Sequence, residues 1–271
     1  MDDKSGQEKS AEVFQLLLLC CWFDCNILFA LSENLNKPFG LTLLVDKPLE
    51  WTSFDVVNKL RSAVKQHTGK KKNKVGHAGT LDPLATGLVI ICIGKHTTTI
   101  ESLMGLDKTY TGTIRLGGTT PSYDLETEID ETFPIPELNS NQIKSVAKSF
   151  IGPQEQLPPI FSAKKIDGRK AYELARKGRE VTMKPSQISI ESLELDASNY
   201  PGIDFELTCS KGTYVRSLAF DFGKKMGSGA HLTSLRRTRI GNYSIEDSFD
   251  IEGAIKHIED EYIKYLELNS D

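Results

Sequence analysis

The densest group of residues that could do chemistry is the block KVGHAGTLDPLATGL at positions 74–88. Its glycines permit tight backbone turns, and Asp82 followed by Pro83 places one carboxylate in a turn between two apolar segments. The block lacks the Gly-Lys-Ser/Thr of a phosphate loop and the glycine spacing of a dinucleotide site. Its chemistry would therefore be that of an ionised carboxylate, although an Asp before Pro is, on its own, more often a turn former.

Positive charge is concentrated in two segments. Residues 59–74 carry seven Lys and Arg with no acid, and residues 161–184 carry eight Lys and Arg against three acids. The net charge of the whole chain is −4, but residues 246–271 contribute −7, which leaves +3 for residues 1–245. A basic run is usually a solvated surface, yet a local positive field also suits a polyanion. The composition therefore permits a nucleic-acid partner.

The overall composition is that of a globular protein, with 39% apolar and 26% charged residues. This excludes a disordered, collagen-like or disulfide-stapled chain, and the five scattered cysteines indicate a reducing compartment and no zinc site. Residues 14–31 form a hydrophobic block interrupted by Asp24 and Asn26, without the flanks of a signal peptide. We interpret this block as an appendage rather than a membrane anchor.

The elements that must position Asp82 can be read from the hydrophobic pattern. A buried strand is predicted from Leu41, followed by a helix capped by Thr52 and Ser53 with Phe54, Val57 and Leu60 on its apolar face. The continuous apolar run at residues 88–94 predicts a strand buried on both faces. Residues 109–118 predict a strand with Tyr110, Gly112, Ile114 and Leu116 on one side.

The second half of the chain also mixes helices and strands. Residues 121–140, with six acids and no base, predict an exposed loop, and a serine-capped helix ending at Gly152 follows. AYELARKG predicts a short helix, ISIESLEL and DFELTCSKG predict paired strands, and TYVRSLAFDFGKKMG predicts an amphipathic helix. This irregular order indicates an α+β domain rather than a repeated βαβ array.

Several ordered blocks together resemble the TruB family of tRNA pseudouridine synthases. The blocks are DKP (46–48), GHAGTLDPLATGL (76–88), KTYTGTIRLG (108–117), PPIFSAKKIDGRKAYELARKG (158–178), CSKGTYVRSLAFDFG (209–223) and GAHLTSLRRTRIG (229–241). The resemblance implies a pseudouridine-synthase fold, with a central mixed, mainly antiparallel sheet flanked by helices and loops. It also implies an isomerase that needs no cofactor and no metal.

The resemblance assigns catalytic roles to Asp82, Arg216 and Tyr110. Asp82 matches the aspartate that enables cleavage of the uridine glycosidic bond, before the base turns and rejoins through carbon; attack on the base and attack on the sugar both remain open. Arg216 matches an arginine that would keep the carboxylate ionised by lowering its pKa. Tyr110 matches a tyrosine that stacks on the flipped base. Without the resemblance, a surface charge and a core aromatic would be the ordinary interpretations.

Further residues are expected to bind the substrate. His77 matches a histidine that holds T-loop nucleotides, Tyr214 and Leu235 match residues lining the base pocket, and Lys47 belongs to the DKP block at the same site. RNA phosphates are expected to be bound by basic residues of the two positive segments and the block at 229–241. These residues are Lys70, Lys71, Lys72, Lys74, Lys164, Arg236 and Arg237, with Arg239 beside them.

Three regions are predicted along the chain. Residues 1–40 form a hydrophobic extension of unknown role, residues 41–245 the catalytic domain, and residues 246–271 an acidic helical tail too short for the C-terminal PUA module of many bacterial members. The family often has a glycine shortly after Lys-Pro, where this chain has Leu49 and Glu50. The turn at Glu50 is therefore the local departure from the family pattern.

The leading hypothesis is a monomeric cytoplasmic enzyme that converts uridine 55 of tRNA to pseudouridine, with the T arm as its partner and no membrane association. A non-catalytic tRNA-binding module or tRNA folding chaperone is the alternative from a different class, since splaying a T-loop could reopen a misfolded tRNA. A related synthase acting on another RNA is the third hypothesis, because loops select substrates on a shared scaffold.

Overall fold

The structure is a computed structural model, which describes residues 39–69, 72–162, 164–166, 168–171, 174 and 182–269. The hydrophobic block at 14–31, Lys70, Lys71 and most of the predicted AYELARKG helix lie outside these residues. No helix within the described ranges is long and apolar enough to cross a membrane.

The described chain is a mixture of strands and helices. The strands are β1 (Gly40–Lys47), β2 (Val75–His77), β3 (Ala85–Gly94), β4 (Lys108–Leu116), β5 (Gly118–Thr119), β6 (Glu131–Thr132), β7 (Gly152–Gln156), β8 (Lys165–Ile166), β9 (Arg169–Lys170), β10 (Ser186–Asp196), β11 (Gly202–Cys209), β12 (Ala230–Ile240) and β13 (Tyr243–Ser244). The helices are α1 (Ser53–Thr68), α2 (Ile100–Met104), α3 (Ser140–Lys148), α4 (Val215–Lys225) and α5 (Ile251–Glu267), with 3-10 turns at Lys95–Thr99 and Ile245–Asp247.

A nine-stranded sheet forms the centre of the molecule, in the order β1-β3-β12-β4-β11-β10-β7. β13 pairs with β12 and β2 pairs with β3, while β5-β6 and β8-β9 form separate two-stranded sheets. Within the large sheet, β3 and β12 are parallel and the other pairings are antiparallel. The predicted α+β fold with a mixed, mainly antiparallel sheet is confirmed.

Strand β3 is buried on both faces, as its sequence predicts. Val89, Ile91 and Ile93 join the main core, whereas Leu88, Ile90 and Cys92 join a second apolar cluster on the other face. Alternate residues point to opposite faces of a strand, so both faces of this β-branched run exclude water. The strand that follows Asp82 is therefore firmly anchored.

Helix α1 begins at the predicted cap. The Thr52 side chain accepts a hydrogen bond from the Asp55 amide while the Asp55 carboxylate accepts one from the Thr52 amide, which forms a capping box. Val57 and Leu60 are buried as predicted, but Phe54 is 56% exposed. The apolar face of the helix includes Val56 instead, because Val56 and Leu60 are four residues apart and so share one face.

The loop at 121–140 is only partly exposed, in contrast to its prediction. Ser122 and Asp124 are buried, and β6, which lies inside this segment, pairs with β5 just before it. Asp124 stays buried because it lies beside the buried guanidinium of Arg216. The following helix α3 is capped by Asn139 rather than by Ser140, since the Asn139 side chain accepts from two amides of the first turn.

The C-terminal segment is helical as predicted, but it is part of the main core rather than a tail. Helix α5 packs on α1 and β1, and its Ala254 and Ile258 belong to the main cluster. Its buried residues recur every four positions, at Ala254, Ile258, Tyr262 and Leu266. The acidic residues lie on the opposite face of α5. The negative charge of the segment therefore gives no indication of its apolar face.

Candidate active site

The loop that carries Asp82 is fixed from two sides. The Ser53 hydroxyl accepts a hydrogen bond from the Leu81 amide at 2.8 Å and donates to the Leu81 carbonyl at 3.2 Å. On the other side of Asp82, the Pro83 carbonyl accepts from the Glu50 amide at 2.9 Å. Helix α1 and the turn after β1 therefore hold the backbone on both sides of the carboxylate.

Arg216 lies in the first turn of α4 and pairs with Asp82. Its Nε is 2.9 Å from Asp82 Oδ2, and the Arg216 side chain is 5% exposed while that of Asp82 is 40% exposed. The guanidinium also donates to the carbonyls of Ser122 and Phe161, both at 3.0 Å, and its Nε lies 3.6 Å from Asp124 Oδ2. These contacts leave Asp82 as the accessible member of the group.

The electrostatics of Asp82 differ from the expected pattern. Burial raises the pKa of the Asp82 carboxyl above its ordinary value, and the negative charges of Asp124 and Glu126 raise it further. Arg216 lowers this pKa, as predicted, but its effect is smaller than that of burial. Ion pairing alone would have predicted the opposite direction, because a sequence does not show how much water the carboxylate loses.

The parallel pairing of β3 and β12 brings the other predicted residues to Asp82. Leu235 lies opposite Ala85 at the start of β3 and opposite Gly112 of β4. Arg237 of β12 lies opposite Tyr110 of β4, and Tyr110 is 8% exposed. The strand junction therefore places an aromatic ring and an apolar side chain beside the carboxylate loop.

A cavity of about 740 Å³ opens in front of these residues. Asp82, Tyr110, Tyr214, Arg216 and Leu235 all line it. Basic side chains are present as well, and those lining the cavity are Lys108, Lys164, Lys211 and Arg237. The cavity thus combines the Asp82 carboxylate, aromatic and apolar walls, and several basic side chains, which together suit a base attached to a phosphate backbone.

Tyr214 and His77 are both predicted to bind the substrate, but only Tyr214 lines the cavity. The Tyr214 backbone is held by Gln156, whose side chain accepts from its amide at 2.8 Å and donates to its carbonyl at 3.0 Å. His77 lies on β2 and does not line the cavity that contains Asp82. Its Nδ1 is buried without a hydrogen-bond partner, and burial lowers the pKa of the ring.

Lys47 is not available for the contact with RNA predicted from the sequence. It is fully buried, and its Nζ donates to the carbonyls of Pro48 at 2.9 Å, Trp51 at 2.6 Å and Pro83 at 3.4 Å. Burial lowers the pKa of this amine to about 8. The geometry gives Lys47 a positioning role, because a buried ammonium needs carbonyl acceptors and these acceptors belong to the loops around Asp82.

The predicted arginine contacts with phosphate also need correction. Arg237 is 1% exposed and donates to the Leu88 carbonyl at 2.8 Å and the Gly79 carbonyl at 3.1 Å. Arg236 is more accessible, but its guanidinium pairs with both oxygens of Asp46 at 3.1 and 2.6 Å. Both arginines therefore hold strands and loops together, whereas Lys72, Lys74 and Arg239 are exposed and Lys164 lines the cavity.

Asp124 and Lys211 belong to the site but were not among the predicted residues. Asp124 stands in an acid-rich segment whose charge indicates exposure, so no pattern in the sequence points to it. Lys211 stands in the block CSKGTYVRS, and a lysine before Gly212 at the entry to α4 could have been assigned to the site.

No group of three or more His, Cys, Asp or Glu within the described part of the chain could hold a metal ion.

Comparison with known families identifies two regions of the chain. Residues 65–215 match the model of the "TruB family pseudouridylate synthase (N terminal domain)". Residues 216–267 match that of the "tRNA pseudouridylate synthase B C-terminal domain". The boundary falls directly before Arg216, so the catalytic pair predicted from the sequence is contributed by both matched regions.

Two proteins of similar sequence are named tRNA pseudouridine synthase B. The chain is 54% identical over 213 residues to the tRNA pseudouridine synthase B of Flavobacterium johnsoniae, covering 78% of this chain and 93% of that protein. It is 51% identical over 218 residues to the protein of the same name from Phocaeicola vulgatus, covering 80% and 93%.

Solved structures support the fold. A crystal structure of a Cbf5-Nop10-Gar1 complex matches with a TM-score of 0.61 at 24% identity, covering 84% of this chain and 58% of that one. A structure of an H/ACA RNP bound to a substrate RNA containing 2'-deoxyuridine matches with a TM-score of 0.59 at 22% identity, covering 85% and 58%.

Proposed function

Since the chain belongs to the TruB family of pseudouridine synthases, we propose that it converts uridine 55 in the T-loop of tRNA to pseudouridine, with Asp82 as the catalytic residue. The observation that carries this proposal is the half-exposed Asp82 carboxylate, paired with a buried Arg216 at the wall of a cavity lined by Tyr110 and Leu235. The isomerisation consumes no second substrate and requires no redox change.

The reaction breaks the bond between the sugar C1' and N1 of uracil, rotates the base and forms a bond from C1' to C5. N1 takes up a proton and the proton on C5 is released, so the atoms balance without a cofactor. A carboxylate can assist by attacking the sugar or the base, and it must be ionised in either case. Arg216 favours that ionised form and holds the carboxylate towards the cavity.

The target base must leave the T-loop to reach Asp82. Tyr110 offers a ring on which an extruded pyrimidine can stack, and Leu235 closes the apolar side of the cavity. Lys164 and Lys211 lie at the same cavity, where they can neutralise backbone phosphates. We assign His77 to the displaced nucleotides beside the cavity rather than to the flipped base itself.

The experiment is site-resolved mapping of pseudouridine in an unmodified tRNA transcript incubated with the purified chain. We expect a single modified position, uridine 55, and no modification with Asp82→Asn. A matched control is Asp107→Asn, which changes a carboxylate that does not line the cavity. Modification elsewhere in the RNA would favour the related synthase of different specificity, and no modification despite binding would favour the tRNA-binding or chaperone alternative.

The remaining partner and compartment assignments follow from this function. We propose that the chain acts as a monomer on the T arm of tRNA. A tRNA substrate and buried free thiols at Cys92 and Cys209 support a cytoplasmic location.

A further inference from the structure

Tyr123 has a backbone conformation that its side chain disfavours. Its φ is +65°, and Glu50 is the only other non-glycine residue with positive φ in the part of the chain that the structure describes. A left-handed conformation is sterically unfavourable for an L-residue, so the surrounding contacts must enforce it. Such strain is often found beside functional groups.

The contacts that enforce this turn also orient the partners of Arg216. Tyr123 donates from its amide to the Thr120 carbonyl at 3.1 Å, and its own carbonyl accepts from the Leu232 amide of β12 at 2.9 Å. Its chain neighbours are Ser122, whose carbonyl accepts from Arg216, and Asp124, whose carboxylate lies 3.6 Å from Arg216. The left-handed residue thus sits between two groups that face the same guanidinium.

The ring of Tyr123 connects this turn to the helix that carries Arg216. It stacks on Phe220 with 4.0 Å between ring centroids and an interplanar angle of 15°. Phe220 follows Arg216 by four residues, which is about one turn of α4. The same turn of chain therefore contacts α4 twice, once through Arg216 and once through Phe220.

We propose that Tyr123 is a positioning residue for catalysis, whose stacked ring and left-handed backbone fix Arg216 against Asp82. The proposal rests on the proposed function, because it concerns the rate of the same reaction. Tyr123 does not line the cavity that contains Asp82, so its effect is on the orientation of the ion pair rather than on contact with RNA. A small displacement of a catalytic pair can lower a rate by up to about 100-fold.

The test compares a variant that keeps the aromatic ring at position 123 with variants that remove the stacked pair of rings. Tyr123→Phe keeps the ring and is expected to retain kcat within about twofold, whereas Tyr123→Ala is expected to lower kcat by about 10-fold to 100-fold with KM for the tRNA changed by less than about threefold. Phe220→Leu removes the stacking partner from α4 and is expected to lower kcat in the same way. It also serves the test if Tyr123→Ala does not fold.

A pH profile distinguishes positioning from a general loss of stability. Because Arg216 lowers the pKa of Asp82, a loosened Arg216 should move the acidic limb of kcat to higher pH in Tyr123→Ala and Phe220→Leu. Tyr265→Ala is the matched control, since it removes a ring stacked on Tyr262 of α5 at 5.9 Å without touching the site. It should lower the melting temperature and leave kcat and the limb unchanged.

The outcomes separate this proposal from the function on which it rests. An inactive wild-type chain would contradict the proposed function itself. An active wild type, together with folded Tyr123→Ala and Phe220→Leu variants that keep wild-type kcat and an unshifted acidic limb, would overturn only the positioning role.

Discussion

At the scale of single residues, Asp82 and Arg216 differ in how far each side chain is buried. Arg216 is buried and bound to two carbonyls as well as to two carboxylates, so its position is set by the protein. Asp82 keeps 40% of its side chain exposed while it faces a cavity. The arginine therefore acts as a fixed support, and the carboxylate remains available to a substrate.

The raised pKa of Asp82 predicts an acidic limb in the pH–rate profile. Activity should fall as the pH drops through the pKa of Asp82, which lies above its ordinary value of 3.8 because of burial. Replacing Asp124 with Asn removes a nearby negative charge that raises this pKa, so the limb should move to lower pH. The measurement is kcat against pH under saturating T-arm RNA.

The matched control for that profile is Glu128→Gln, an exposed acid of the same loop that does not contribute to the pKa of Asp82. Its limb should coincide with that of the wild type. A limb that moves to higher pH in Asp124→Asn would mean that Asp124 acts mainly by holding Arg216, and the electrostatic account of this residue would be wrong.

Residue identity could be predicted from sequence blocks, but residue environment could not. The resemblance placed Asp82, Arg216, Tyr110, Tyr214 and Leu235 in one site, and the structure brings all five to one cavity. It also grouped Lys47 and Arg237 with them as binding residues, although both are buried. A motif records which residues are near a site, whereas burial depends on strands that are distant in sequence.

At the scale of elements, the turns around β1 and α1 determine where the catalytic loop lies. Lys47 connects the turn after β1 to Pro83, and Ser53 at the start of α1 binds Leu81. The strand and the capped helix were both predictable from periodicity and capping residues. Their contacts with the catalytic loop were not, because side-chain hydrogen bonds across 28 or 36 positions leave no local pattern.

We predict that Lys47→Met lowers both stability and kcat. Loss of a buried amine that donates to several carbonyls should decrease the free energy of unfolding by about 1–3 kcal/mol, and the loosened loop should slow catalysis. Chemical denaturation and tritium release measure the two effects. Unchanged kcat in the folded variant would show that Lys47 does not position Asp82.

The same variant has a predictable dependence on pH. The pKa of Lys47 is about 8 in the folded state against an ordinary 10.5, so the unfolded state binds more protons between these values. The stability of the wild type relative to Lys47→Met should therefore increase as the pH rises from about 8 towards 10.5. A difference that stays constant across this range would contradict the lowered pKa.

Glu50 provides a test of strain in the neighbouring turn. Its φ is +66°, in the region that glycine adopts without steric cost, and the related family often has a glycine near this position. Glu50→Gly should leave stability unchanged or raise it by up to about 1 kcal/mol, because relief of strain is partly offset by entropy. Glu50→Val should be less stable than both the wild type and Glu50→Gly. Denaturation curves that show Glu50→Val to be the most stable of these three proteins would contradict the strain at this position.

At the scale of the whole molecule, charge is separated between the cavity and the C-terminal helix. The chain has a net charge of −4, yet lysines line the cavity while acids cover the outer face of α5. The composition predicted this segregation along the sequence. The packing of α5 into the main core is not predictable in this way, because its apolar residues lie within an acid-rich segment whose charge indicates a solvated tail.

We predict that tRNA affinity falls steeply with salt and that Lys211 accounts for part of this dependence. Lys211→Gln should weaken binding and reduce the slope of log K against log[salt] by up to about one, the value for one phosphate contact. Lys256→Gln, on the exposed face of α5, is the control of equal charge and should keep the wild-type slope. Equal slopes for both variants would exclude Lys211 from the RNA interface.

Release of tritium from C5 of labelled uridine in T-arm RNA tests directly whether Asp82 performs the isomerisation. The wild type should release tritium over many turnovers, while Asp82→Asn should bind the RNA with similar affinity and release none. Release by Asp82→Asn at the wild-type rate would contradict the account. Tight binding without release by the wild type would likewise contradict it and identify the chain as an RNA-binding module.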